Sequence, residues 1–202
     1  VPDAPAVYID IPASVAAMEQ GVLIGGVPAM KGVEDLARYK KVLEATRPDL
    51  IVQTGTAVGG SALWFAESGA RVITIDVDEA AIHPRTREAA LVLIGSSTSP
   101  HVFAIVRAIA DGHERVMVVL DSDHSSAHVR AEIALYGPLV TPGCYLVVED
   151  GIYDFAAPGP FKPGPFDAIT DCLVDDPAWK RDTETESLEP VSMYPAGWWV
   201  KR

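Results

Sequence analysis

Asp49-Leu50-Ile51-Val52-Gln53-Thr54-Gly55-Thr56-Ala57-Val58-Gly59-Gly60-Ser61 is an apolar run that opens into a glycine loop directly before a helical segment. Other runs end in acidic residues: Val72-Ile73-Thr74-Ile75-Asp76, Val116-Met117-Val118-Val119-Leu120-Asp121 and Tyr145-Leu146-Val147-Val148-Glu149-Asp150. Leu91-Val92-Leu93-Ile94 is a weaker member of the series. None of these runs alternates between apolar and polar, which marks strands buried on both faces, as in a parallel sheet. Between them, residues 33–45, 61–68, 100–110 and 125–136 have helical character, clearest in Val102, Ile105, Val106 and Ile109. Strand and helix therefore alternate, and the expected architecture is a doubly wound α/β domain. Toward the C-terminus a proline-rich loop spans residues 155–166, and a helix is expected from Asp167 to Leu173. Val191-Ser192-Met193-Tyr194 and Trp198-Trp199-Val200-Lys201 flank Pro195-Ala196-Gly197 and predict a terminal antiparallel hairpin. The result is a mostly parallel sheet of about seven strands with an antiparallel finish.

The chain has 202 residues, which fits one domain spanning 1–202. Sixteen Lys and Arg stand against 28 Asp and Glu, a net charge of −12. That balance argues against a phosphate-backbone binder and against docking on an anionic membrane surface. No apolar run approaches the roughly 20 residues of a spanning helix, and no signal peptide is legible. Cys144 and Cys172 form neither a metal pair nor a disulfide framework and read as reduced packing residues of a cytoplasmic protein.

In an open parallel sheet, ligands bind beyond the carboxyl ends of the strands. The Gly55–Gly60 loop has the spacing G-x-x-x-G-G, which is neither the dinucleotide fingerprint nor a P-loop. A helix N-terminus follows it, suited to a carboxylate or phosphate, and no Lys is present to neutralise a triphosphate. Asp76 follows Gly55 by 21 residues, the place where a ribose diol is gripped. Gly95-Ser96-Ser97-Thr98 follows the third run, where a purine edge would lie. Asp121, Glu149 and Asp150 converge at two neighbouring strand tips, where three carboxylates repel unless protonated or metal-bound. A hard divalent cation such as Mg²⁺ resolves that repulsion. His124, three residues after Asp121, is placed to remove a proton from a metal-bound hydroxyl. His128 is its competitor four residues on, and Asp123 reads as solvated. Tyr153, Phe155, Phe161 and Phe166 are candidates for an acceptor wall.

Residues 51–61, Val119-Leu120-Asp121-Ser122-Asp123-His124-Ser125 and Leu146-Val147-Val148-Glu149-Asp150-Gly151 together resemble the cephalosporin hydroxylase/rhamnosyl O-methyltransferase family of class I S-adenosylmethionine (SAM)-dependent methyltransferases. Pro138-Leu139-Val140-Thr141-Pro142-Gly143 adds to the resemblance, which runs from about Gly25 to the C-terminus. It implies a Rossmann-like fold and an Mg²⁺-assisted O-methyltransferase acting on a sugar or small natural-product hydroxyl. Gly55, Thr56 and Gly59 would hold the methionine part of SAM, with Ser61 near its carboxylate. Asp76 would bind the ribose, and Ser97 would lie near adenine. Asp121, Glu149 and Asp150 would be the metal ligands and His124 the general base. Gln53 stands where the family more often has Glu or Asp, and would hydrogen-bond the SAM amine without charge. Residues 1–32 would form an N-terminal segment, with Val22 to Lys31 as a substrate lid. A homo-oligomer is compatible with the sequence. The competing readings are a SAM-binding accessory subunit of a biosynthetic complex and an NAD-dependent oxidoreductase.

Overall fold

The structure, a computed structural model, describes residues 10–155 and 162–202. After helix α1 (Ile11–Gln20), strands β1 (Val22–Ile24) and β2 (Val27–Ala29) form a small antiparallel hairpin. The main body follows as α2 (Val33–Thr46), β3 (Leu50–Thr54), α3 (Gly60–Ala66), β4 (Arg71–Asp76), α4 (Pro84–Ala89), β5 (Leu91–Ile94) and α5 (Pro100–Ala110). It continues with β6 (Val116–Leu120), α6 (Ser126–Tyr136), β7 (Tyr145–Val148), α7 (Pro165–Cys172), β8 (Trp179–Arg181), α8 (Thr183–Glu186) and β9 (Trp198–Lys201).

The main sheet has the order β5-β4-β3-β6-β7-β9-β8. Strands β5 through β7 are mutually parallel, and β9 runs antiparallel to both β7 and β8. Every residue of β3, β6 and β7 is buried, as unbroken apolar runs require. Alternate side chains of these strands feed two cores. Leu50, Val52, Val116, Val118 and Leu120 pack with Val102 and Val106 of α5 and with Val129 and Ile133 of α6. Ile51, Met117 and Val119 face the other way, onto Tyr39 and Val42 of α2 and Phe65 of α3. The chain leaves β3 toward β4 in one direction and returns to β6 on the other side. The β3 and β6 tips thus form the topological switch point where a crevice opens.

The C-terminal expectation needs one correction. The antiparallel strands are there, but the neighbour of β9 is β8, not Val191–Tyr194. That segment gives its polar groups to a buried ion pair on α2 instead. Ser192 Oγ and the Met193 amide donate to Asp35 at 2.6 and 3.0 Å, and Arg38 donates to the Val191 carbonyl at 2.9 Å. Only the turn survives of the expected hairpin, with the Gly197 amide donating to the Tyr194 carbonyl at 2.9 Å. The helix expected at 167–173 starts two residues earlier, at Pro165, where proline suits the first helical turn. Phe161 lies outside the described residues. Among the described residues no helix is long and apolar enough to cross a membrane.

Candidate active site

A cleft of about 710 Å³ opens at the switch point, with Gly55, Asp76, Ser97, Asp121, His124 and Asp150 in its lining. Its first half is built by the β3 and β4 tips. Gly55 has φ +79°, and a Cβ there would stand 1.8 Å from the Asp121 carbonyl oxygen. Only glycine lets the two central strand tips approach this closely. The turn after it is held by Asp76, whose Oδ2 accepts from the Thr56 and Ala57 amides, both at 2.8 Å. Its Oδ1 accepts from the Asp78 amide at 2.9 Å. Asp76 therefore anchors the glycine loop and faces the cleft at once.

Gln53 and Ser61, which flank the loop, and Thr56 within it are buried. Gln53 Nε2 donates to the Gly55 carbonyl at 2.9 Å and to Ser61 Oγ at 2.8 Å. Its Oε1 is buried without a hydrogen-bond partner among the described residues. Gly59 has φ +103° and packs on the Thr86 side chain, so its part is to shape the loop. Ser97 lies in the cleft wall with Oγ 3.0 Å from His128 Nε2. A hydrogen bond to Glu132 raises the His128 pKa.

The second half is built by the β6 and β7 tips, and it is charged. Asp121 follows β6, and Glu149 and Asp150 follow β7, with the Glu149 amide donating to the Leu120 carbonyl at 3.0 Å. Asp150 has φ +58°, a left-handed turn that Asp tolerates. His124 Nε2 stands 3.2 Å from Asp150 Oδ2. One ligand atom each from Asp121, His124 and Asp150 falls within a mutual 4.8 Å, a donor set that could hold a metal ion. Glu149 is placed differently. Its oxygens lie 2.7 and 2.5 Å from Lys31 Nζ, and Tyr39 OH donates to it at 2.5 Å. Lys31 also donates to Asp121 Oδ2 at 2.9 Å.

Burial, reinforced by neighbouring carboxylates, lifts Asp121 and Asp150 to about 6 and Glu149 to about 7. Burial alone would lower Lys31, but the Asp121 and Glu149 charges overcome it and raise its pKa.

Residues 19–202 match the family described as "Rhamnosyl O-methyltransferase/CmcI". The chain belongs to this family. It is similar to the rhamnosyl O-methyltransferase of Mycobacterium tuberculosis, 34% identical over 188 residues that cover 87% of this chain and 76% of the relative. The protein of the same name from Mycobacterium leprae is 34% identical over 153 residues, 71% of this chain and 67% of the relative. Among solved structures, CmcI with Mg and SAM superposes with a TM-score of 0.65 at 20% identity, covering 88% of this chain and 75% of the other. An O-methyltransferase from Bacillus cereus in complex with SAH gives 0.57 at 15% identity, covering 84% and 80%. At these identities the structures establish the shared class I methyltransferase fold.

Two residues of this rhamnosyl O-methyltransferase family member reach the site from outside the strand-end motifs. Lys31 follows the β1–β2 hairpin and Tyr39 sits mid-way along α2, yet both end at the β7 tip. A lysine in an otherwise apolar stretch, Val27-Pro28-Ala29-Met30, is the one hint that the sequence offers.

Proposed function

We propose that the chain transfers the methyl group of SAM to a hydroxyl of a sugar, a rhamnosyl unit first among candidates, assisted by a divalent cation such as Mg²⁺. The observation that carries this reading is the meeting, in one cleft, of the Asp76-anchored glycine loop with the Asp121, His124 and Asp150 donor set. The names of the relatives support the acceptor class.

The residues fit both groups. The cleft volume lies within the ~300–1,000 Å³ usual for small ligands. Asp76 has lone pairs beyond those used by the loop amides, as a ribose diol requires. The buried, unpartnered Gln53 Oε1 is an acceptor of the kind that an amino group satisfies. For the cation, carboxylates lifted to about 6 by burial and by one another are what a divalent charge relieves. Asp121 and Asp150 would hold it, with Glu149 completing the set once released from Lys31.

When bound, the cation supplies positive charge that favours ionisation of a hydroxyl beside it. His124 accepts the hydroxyl proton, and Asp150, which faces its Nε2 at 3.2 Å, orients the imidazole and stabilises its charged form. The oxygen then takes the methyl, and the sulfonium leaves as the neutral thioether. Asp76 and the glycine loop keep the donor in line, which supplies much of the acceleration. Ser97 and His128 wall the nucleobase end. Residues 1–202 serve as one methyltransferase domain, and the segment Val22 to Lys31 acts as a lid, since Met30 lines the cleft and is well exposed.

The test is a calorimetric titration of SAM and of NAD⁺, followed by methyl-labelled SAM offered with a panel of rhamnosides. SAM binding and label in the sugar are expected. Failure to bind SAM, or binding of NAD⁺ in its place, overturns the reading.

A further inference from the structure

Lys31 is almost wholly enclosed, with its side chain 1% exposed. Its ammonium lies near the Tyr39 and Tyr194 rings, 6.0 and 5.8 Å from their centroids, and meets Glu149 through both carboxylate oxygens. It also holds Asp121 Oδ2 at 2.9 Å. Asp121 therefore belongs to two cation subsites that share one carboxylate. One is filled by Lys31 and walled by Glu149 and Tyr39. The other is the Asp121, His124 and Asp150 group, which remains partly open, with side-chain exposures of 21%, 19% and 12%.

We propose that Lys31 is the resident counter-cation of the acidic cluster, and that a divalent cation binds in competition with it for Asp121 and Glu149. The inference rests on the divalent-cation reading above. A carboxylate already neutralised by a buried ammonium attracts a second cation less, and two cations sharing Asp121 repel each other through a low-dielectric interior. Glu149 illustrates the point, because its oxygens are committed to Lys31 and Tyr39 rather than to the open subsite. Lys31 thus sets divalent-cation affinity, acting through Asp121 and Glu149 as a positioning residue. It also ties the segment after the β1–β2 hairpin to the strand tips.

The experiment is calorimetric titration of Mg²⁺ into the SAM-saturated 202-residue chain at pH 8.5, which limits proton competition. Wild type, Lys31→Met and Lys31→Arg are compared, with circular dichroism to verify folding. Lys31→Met should bind Mg²⁺ at least tenfold more tightly than wild type, and Lys31→Arg should stay within about threefold of wild type. Equal or weaker binding by a folded Lys31→Met overturns the competition while leaving the metal reading intact. No Mg²⁺ binding by any of the three proteins overturns the metal reading itself and the competition with it. Should Lys31→Met not fold, ¹⁵Nζ-lysine labelling of wild type decides. The buried Lys31 ammonium signal should shift or broaden on Mg²⁺ saturation, and a signal unmoved while Mg²⁺ binds contradicts the proposal.

Discussion

At the β3 and β4 tips, one carboxylate anchors a loop: Asp76 gathers the amides of Thr56, Ala57 and Asp78, and hydroxyls and amides settle the rest. At the neighbouring β6 and β7 tips two carboxylates, Asp121 and Glu149, hold one ammonium, and a third, Asp150, faces the His124 imidazole. In the first half the negative charge is already met by fixed backbone dipoles, and the buried Gln53 Oε1 is left for a ligand to satisfy. The second half is held at elevated pKa values and answers to whatever cation or proton reaches it. One cleft thus pairs a rigid cradle for a donor with a charge-sensitive platform for chemistry.

That division is open to direct attack. The largest effect is expected from Asp121→Asn, which removes charge from both cation subsites. Methyl transfer should fall about a thousandfold while SAM affinity, read by calorimetry, stays within about threefold. A comparable loss of SAM affinity would erase the boundary between the halves. His124→Asn should lower kcat about a hundredfold with Mg²⁺ affinity unchanged. If Mg²⁺ affinity falls instead, His124 is a ligand and not the proton acceptor. On the other side, Asp76→Ala should weaken SAM about thirtyfold, through lost charge-assisted hydrogen bonds, and leave Mg²⁺ binding in place.

The smallest effect is on stability. Asp35, Asp121 and Asp150 are raised to about 6 and Glu149 to about 7, chiefly by burial. A carboxyl with a raised folded-state pKa contributes stability below its unfolded value, and that contribution is lost as pH rises through the folded value. The metal-free protein should therefore lose roughly 5 °C of Tm between pH 5 and 8, and Glu149→Gln should flatten the slope. A Tm that climbs over this range contradicts the charge assignment.

The contrast between the halves also explains what the sequence discloses. Strands β3, β6 and β7 are legible because runs such as Val116–Leu120 have no polar residue, and burial on both faces leaves little else for them to be, whereas Leu91–Ile94 shares the apolar run but is a partly exposed edge strand and not one buried on both faces. The glycine loop, Asp76, Asp121, Glu149, Asp150 and His124 are legible for a local reason, since each sits at or just beyond a strand end. Lys31 and Tyr39 are not, because they reach Glu149 across 118 and 110 positions of chain. Strand β8 is hidden for another reason: Trp179-Lys180-Arg181 is short and charged, as an edge strand tolerates. Val191–Tyr194 carries a strand-like pattern, but its backbone partners include Asp35 and Arg38 on a helix far away in sequence, Ser14 and Ile152, and not a neighbouring strand. Local pattern specifies the scaffold and the strand-end chemistry, while the ionic connections between elements appear only in three dimensions.

The most direct test of the central claim is a crystal structure grown with SAH and Mn²⁺, read by manganese anomalous scattering. The account predicts SAH in the cleft with its ribose on Asp76, and one manganese peak bonded to Asp121 and Asp150. SAH in the cleft with no manganese on those carboxylates, or SAH bound elsewhere, would contradict it.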